Sequence, residues 1–396
     1  MVSIHIQQVF KIMYWITSFL LFIPFFFLEE FSNLNQKKII RLSASFLFFI
    51  VTTGSYYNGV DWINYIYYYN YIGNNSIYSA LSFIYEPGFV YLNWLLANII
   101  KITDFHIIPF ISSSIFFISI CYSLRLIKFN INFSLYFSLL IIFLASLFND
   151  GYRQLIALAI ILPYLFKIEE ISIFKWIFIC LISSMFHFSA ILLIPFIFLL
   201  RINFNTKKII LSIIFIILLI FLLINLAYIL PIIKSIIPSR IHNKLTIYLD
   251  MLEGNLRFGL FAIIDIIGIF LCILIKDRFH QNKTIWNSTF IYFLCHLAFY
   301  FSPFLQRLLF YLYPVLILNI FIIKNNIYRI SLSFIIIVMG LSSFARYINN
   351  PYYDIDFWDP KFYYTEIFSE KEINIENLKK NKCYIIEKLD ENFCKK

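Results

Sequence analysis

Charge is what this sequence has least of. Only 14% of its 396 residues are Asp, Glu, Lys or Arg, where a soluble domain carries about a quarter. Apolar residues make up 61%, and mean hydropathy is +0.81. So little charge cannot coat the surface of a chain this long, which excludes a soluble enzyme, a disordered chain and a coiled coil. The six cysteines form no C-x-x-C pair, and no metal-ligand spacing is present. G-x-S-x-G, the Walker A phosphate loop, G-x-G-x-x-G and H-E-x-x-H are all absent, so the templates of soluble catalysis fail; no cofactor is expected, and the sequence leaves a metal requirement open.

What is present is a succession of long apolar runs, from 10–28 to 328–345. They predict an all-α polytopic integral membrane protein with about eleven to thirteen transmembrane or re-entrant helices. The run at 173–200 is interrupted by His187 and Pro195 and reads as one kinked helix or a hairpin of two short ones. The first run lacks a small-residue cleavage site and reads as a retained helix. The organisation expected is a helical domain over 1–346, with an outer loop at 55–85 and a mixed-charge loop at 234–257, followed by a polar tail at 347–396. Net charge is +10. The basic residues gather at the ends of apolar runs, which fits headgroups and the positive-inside bias rather than nucleic acid. Loop 55–85 has no Lys or Arg and should face out. The scheme holds if 86–124 contributes one net crossing, and it places 149–153, His187 and Arg307 outside as well. Cys121, Cys180, Cys272 and Cys295 lie in apolar runs as small hydrophobes. Cys383 and Cys394 share the tail and could pair in an oxidising compartment. The 48 Phe and 28 Tyr have AT-rich codons, so single aromatics carry little functional weight.

Charged groups at membrane depth are costly and point to function. Asp61, in Gly59-Val60-Asp61-Trp62, is either a carboxylate able to take a proton from a hydroxyl or the N-cap of an interfacial helix. Glu86, in Glu86-Pro87-Gly88-Phe89, either serves the helix dipole or is a functional carboxylate where bilayer begins. Arg153, followed by Gln154, can hold a phosphate in bidentate fashion or snorkel at the interface. His187, in His187-Phe188-Ser189-Ala190, is either a packing residue or a proton-transfer group. Hairpin logic puts it on the same side as Arg153. Arg307 opens a late Tyr-rich helix after Ser302-Pro303. Two arginines beside carboxylates suit a diphosphate leaving group.

The motifs fall in an order that resembles the EpsG-like family of bacterial polysaccharide polymerases, akin to Wzy-type polymerases. They are G-x-D-x-x-x-Y at Gly59, Asp61 and Tyr65, E-P-G-[FY] at Glu86 to Phe89, R-Q-x-x-A at Arg153, Gln154 and Ala157, H-x-S-A at His187, Ser189 and Ala190, and then Arg307. The resemblance spans roughly 10–350 and leaves the tail outside. It implies a lipid-linked oligosaccharide substrate on undecaprenyl diphosphate and glycosyl transfer at the outer face of the bacterial cytoplasmic membrane. The implied product is an O-antigen, capsule or exopolysaccharide, and the implied partners are the bilayer and a chain-length regulator. The Asp-bearing outer loop also resembles the layout of membrane glycosyltransferases of the GT-C kind. In these terms Asp61, Glu86 and His187 are expected to be catalytic, and Arg153, Gln154 and Arg307 to bind the diphosphate. The rival readings are a single-sugar transferase or glycan ligase, and a flippase of lipid-linked glycan.

Overall fold

The computed structural model describes residues 18–56, 61–81, 85–127, 129–224, 259–276, 283–299, 303–322, 327–348, 361–362 and 364. Gly59, Ser302, the 234–257 loop, Cys383, Cys394 and most of the tail lie outside the described residues. The chain divides into two compact units. The first holds Met1–Pro163, Phe178–Ile191 and Gly340–Lys396, and the second holds Tyr164–Ile177 and Leu192–Met339.

In the first unit, α1 (18–31) leads through a short turn into α2 (Leu34–Thr53). Asn33 caps α2 in a reciprocal box with Gln36, which satisfies two amides that the first turn leaves open. α6 (Ile107–Arg125) and α7 (Phe133–Asn149) pack against α2. α7 is buried on nearly every side, as its unbroken apolar sequence requires. Phe48 of α2 stacks on Phe137 at 4.6 Å and meets Phe148 edge-on at 5.9 Å. Buried serines let the helices approach and satisfy their own hydroxyls. Ser113 donates to Thr52 O, Ser119 to Ala159 O and Ser183 to Ala157 O. Glu29 and Arg41 pair at 2.7 Å, and Glu29 also accepts the Phe133 and Ser134 amides that open α7. Between α7 and α8 (Tyr152–Phe166) the chain turns tightly at Asp150-Gly151, where a Cβ on Gly151 would stand 2.5 Å from the Leu147 side chain.

The same unit carries a set of short helices, α3 (Trp62–Gly73), α4 (Ile77–Leu81) and α5 (Pro87–Trp94), the last continuing through a π-turn over Leu95–Ile99. Their core is aromatic, with Tyr65, Tyr68, Tyr69, Phe89 and Phe105 buried together. A two-residue antiparallel pairing, β1 (Ser55–Tyr56) with β2 (Lys361–Phe362), ties a piece of the tail to the end of α2. Tyr364 and Thr53 share a hydroxyl contact at 2.9 Å.

In the second unit, α9 begins at Ile173 and the chain returns after its tip through a 3-10 turn (Phe188–Leu193) into α10 (Phe196–Arg201). The Trp176 indole donates to Leu193 O at 3.0 Å, which closes the hairpin at its base. Arg201 donates to Ile168 O and to Ile171 O. α10, α11 (Thr206–Ile224) and α12 (Leu260–Ile275) pack on α13 (Lys283–Phe299). α14 (Pro303–Gln306), a 3-10 turn (Arg307–Tyr311) and α15 (Tyr313–Leu318) follow. α16 (Ile327–Ile348) starts in this unit and ends in the first.

The architecture is all-α, apart from the one two-residue strand pair among the described residues. Apolar run and full crossing are not the same thing here. Among the described residues, Ile107–Arg125 and Ile327–Ala345 combine the length and hydropathy of a crossing, while five other apolar helices are shorter. Of the two runs in 86–124, only α6 has that length. Residues 87–99 rise about 20 Å at 1.5 Å per residue, against a hydrocarbon core of about 30 Å. The 173–200 run is two helices around a turn, and the 304–323 run is broken by 3-10 segments. Hydropathy counts apolar residues and is blind to the Pro, His and Tyr positions at which the helix stops.

His106, next to α6, is 4% exposed and its Nε2 lies 2.9 Å from Thr53 O. Burial lowers its pKa from 6.5 to about 4, against the opposing pull of the Thr53 carbonyl and Asp104. Its imidazole is therefore neutral in the folded protein, while the unfolded chain takes up a proton below pH 6.5. This group's contribution is complete above pH 6.5 and is lost as pH falls toward 4, by about 3 kcal/mol in total. Chemical unfolding of the detergent-solubilised protein across that window should show the loss, and His106→Gln should show a shallower pH dependence.

Candidate functional site

The first unit gathers charged residues from three separate stretches of the sequence: Asp61, Glu86, and Asp150 with Arg153. Arg153 lies in the first turn of α8, where the Asp150-Gly151 turn aims it at the aromatic cluster. Its Nη1 donates to Glu86 Oε2 at 2.7 Å, and its Nε donates to Tyr65 Oη at 3.2 Å. The guanidinium also lies over the Tyr85 ring, 4.6 Å from its centroid, and 5.9 Å from that of Tyr65. An arginine held this way keeps its charge at low water exposure without a second carboxylate in contact. The pair is partly buried, with side chains 18% and 13% exposed.

Glu86 precedes α5 and does not cap it; Pro87 opens that helix. Its second oxygen accepts the Phe188 amide at 3.3 Å. That contact depends on Gly88, whose amide donates to Met185 O at 2.8 Å. A Cβ on Gly88 would stand 2.8 Å from the same oxygen. The glycine in Glu-Pro-Gly therefore lets the tip of the α9–α10 hairpin lie directly against the start of α5.

Asp61 stands just before α3. Its amide donates to Asp150 Oδ1 at 2.7 Å, so Asp150 anchors the turn that carries it. Among the described residues its carboxylate has no hydrogen-bond or ion-pair partner. His187 is buried at the hairpin tip, with Nδ1 2.6 Å from Ser189 Oγ. Gln154 is buried beside Arg153 on α8. Burial pushes the Tyr85 hydroxyl up to about 12, with Arg153 pulling the other way and Asp61, Asp150 and Glu86 adding to the rise. All four charged groups therefore act on one point in space, and they sum to three carboxylates against one guanidinium.

Of the residues expected from the sequence, the structure brings Asp61, Glu86 and Arg153 together, with the His187–Phe188 peptide against Glu86. Arg307 belongs to the second unit, where it is exposed at the start of a 3-10 turn. Sequence reasoning passed over Asp150, although it stands three residues before Arg153, and Tyr85, although it precedes Glu86. It also passed over a pair in the second unit. There Asp265, fully buried in α12, lies 2.7 Å from His296 Nδ1 of α13, and Tyr292 stacks on the imidazole at 5.6 Å. An aspartate inside a run of Ile, Leu and Phe was the available signal. Among the described residues, no group of three His, Cys, Asp or Glu is placed to hold a metal ion.

The sequence profile of the EpsG family, a Wzy-type polysaccharide polymerase family, matches residues 38–364. The match runs past the expected end near 350 and takes in the tail segment that pairs with β1. No curated protein and no solved structure matches the chain.

Gly88→Ala should separate α5 from the hairpin tip and lengthen the Glu86–Phe188 contact. A cost of about 1–3 kcal/mol is expected from such overpacking. It should appear as a lower unfolding midpoint in detergent, together with reduced polymer from cells whose membranes contain the variant.

Proposed function

This chain belongs to the EpsG family, and from that membership and the geometry above we propose that it joins lipid-linked oligosaccharide repeat units into a polysaccharide at the outer face of the cytoplasmic membrane. The observation that carries the reading is Arg153, an arginine fixed by aromatic rings and a carboxylate at the end of an apolar bundle. A bidentate cation in that position suits a polyprenyl diphosphate. The outer face is supported by loop 55–85, which supplies Asp61 and Tyr65 and contains no Lys or Arg.

The glycosyl carbon of the growing chain leaves its lipid diphosphate and bonds to a hydroxyl oxygen of the incoming unit. The breaking C–O bond gives its electron pair to the diphosphate. The hydroxyl proton passes to a carboxylate, Asp61 or Glu86. Arg153 stabilises the departing charge, with Gln154 beside it. His187 fixes the hairpin tip through Ser189, and its backbone presents the Phe188 amide to Glu86. The diphosphate is a good leaving group, so no covalent enzyme intermediate is needed. The product is an O-antigen, capsule or exopolysaccharide, and a chain-length regulator is the protein partner this activity calls for. A membrane glycosyltransferase layout of the GT-C kind belongs to the same reading.

The test is the glycan ladder of a strain lacking the gene. Collapse to one repeat unit on lipid or core is expected. A ladder shifted by a single sugar would instead indicate a single-sugar transferase, transfer of intact glycan to a new carrier would indicate a ligase, and repeat units stranded inside would indicate a flippase. Arg153→Ala should fail to restore the ladder while inserting normally. Arg153→Lys should restore little of it, because an ammonium cannot make the forked contact or stack on Tyr85. A full ladder from Arg153→Ala would remove that residue from the site.

A further inference from the structure

The two partners of the Arg153–Glu86 pair are not held equally. Arg153 keeps the Tyr65 hydroxyl at 3.2 Å and the Tyr85 face at 4.6 Å whatever Glu86 does. Glu86 without Arg153 keeps only the Phe188 amide, at 3.3 Å. The guanidinium is the fixed member and the carboxylate is the movable one. The charge balance points the same way. Asp61 and Asp150 act on the same Tyr85 hydroxyl as the pair, so carboxylates outnumber the guanidinium there, and Arg153 Nη1 can turn to a phosphate only when Glu86 gives up its place. Glu86 in this state is also unsuited to taking a proton, since Oε2 is committed to Arg153 and Oε1 to the amide.

We propose that the Arg153–Glu86 pair is a latch opened by the diphosphate of a lipid-linked donor: a phosphate oxygen replaces Glu86 on Arg153 Nη1, and the released carboxylate becomes the proton acceptor for the incoming hydroxyl. No bond forms or breaks in the exchange; one charge-assisted hydrogen bond replaces another. The consequence is an ordered reaction. The base is withheld until the donor is seated, so neither water nor an acceptor is activated at an empty site. This deepens the polymerase reading and rests on it.

The test compares binding and turnover in Glu86→Gln. Glutamine keeps the shape of the side chain and removes its charge. Farnesyl diphosphate titrated into the detergent-solubilised full chain should bind Glu86→Gln about tenfold more tightly than the wild type, a change of one decade in Kd. Cells carrying the variant should nonetheless make no polymer. Equal or weaker binding by Glu86→Gln would overturn the latch and leave Glu86 as a residue that merely positions Arg153. Tighter binding with a full ladder would overturn the assignment of the freed carboxylate as base. Inorganic pyrophosphate forms the second arm: binding as tight as farnesyl diphosphate would overturn a lipid-borne source. Arg153→Gln separates this from failure of the functional reading, because unchanged farnesyl diphosphate binding in that variant would mean that the site takes no diphosphate at all. Glu86→Asp guards against misfolding; with a carboxylate one methylene shorter, it should keep the wild-type affinity range and part of the polymer.

Discussion

A guanidinium placed where an apolar bundle meets the interface has to be held, because its charge is costly at low water exposure and its length lets it escape to the headgroups. In this protein several elements of the first unit converge on Arg153. The α7–α8 turn sets its direction, α3 supplies Tyr65, the segment before α5 supplies Tyr85 and Glu86, and the α9–α10 hairpin tip braces Glu86 from behind. Four stretches lying between Tyr65 and Phe188 converge on one cation. Partial burial strengthens each of these contacts over its value in water, and it also makes an unpaired member costly. The aromatic rings matter for that reason. They add attraction without adding a charge that must itself be solvated.

The broad class could be read from composition because the bilayer imposes a solvent constraint that every apolar run obeys. The site motifs could also be read, because Asp61, Glu86, Arg153 and His187 are polar residues where polar residues are expensive. Pairing was harder to see. Glu86 and Arg153 stand 67 residues apart, and neither periodicity nor charge alternation links them. Asp150 stands three residues before Arg153 and holds a turn rather than a charge partner: it accepts the Asp61 amide. Tyr85 was hidden by abundance, one of 28 tyrosines in a chain where aromatics are everywhere. The break in 173–200 was legible at His187 and Pro195, where the hairpin of two short helices is the alternative the structure adopts, whereas hydropathy alone gives no sign of the 3-10 segments in 304–323.

The tail shows the same limit from the other side. Its polar composition marked it as separate from the bundle, yet Lys361–Phe362 pairs with Ser55–Tyr56 and Tyr364 reaches Thr53. Two paired residues bury little surface, so local composition carries no trace of them. What they do is pin the exit of α2, just before the loop that delivers Asp61. Ser55 also donates to Asn149, and Asn149 in turn donates to the Tyr347 hydroxyl. These contacts fix one end of the Asp61 loop, and Asp150, next to Asn149, fixes the other. The described residues on either side of that segment, Ser55 and Asp61, are thereby both tied to the turn that carries the arginine.

Glycine is rare here, nine in 396 residues, and two of them stand at the points where this arrangement is tightest. Gly151 lets the α7–α8 turn close on Leu147, and Gly88 lets α5 begin against the Met185 carbonyl. A side chain at Gly88 would meet the Met185 carbonyl and push apart α5 and the hairpin tip beside the Arg153–Glu86 pair. A carboxylate moved by one ångström would still be near the guanidinium, and would still attract it across a partly buried gap. It would no longer be in contact with the Phe188 amide at the same time, and the balance between the two holders of Glu86 would shift. The close backbone approach at Gly88 therefore fixes where Glu86 stands between its two holders, the guanidinium and the Phe188 amide.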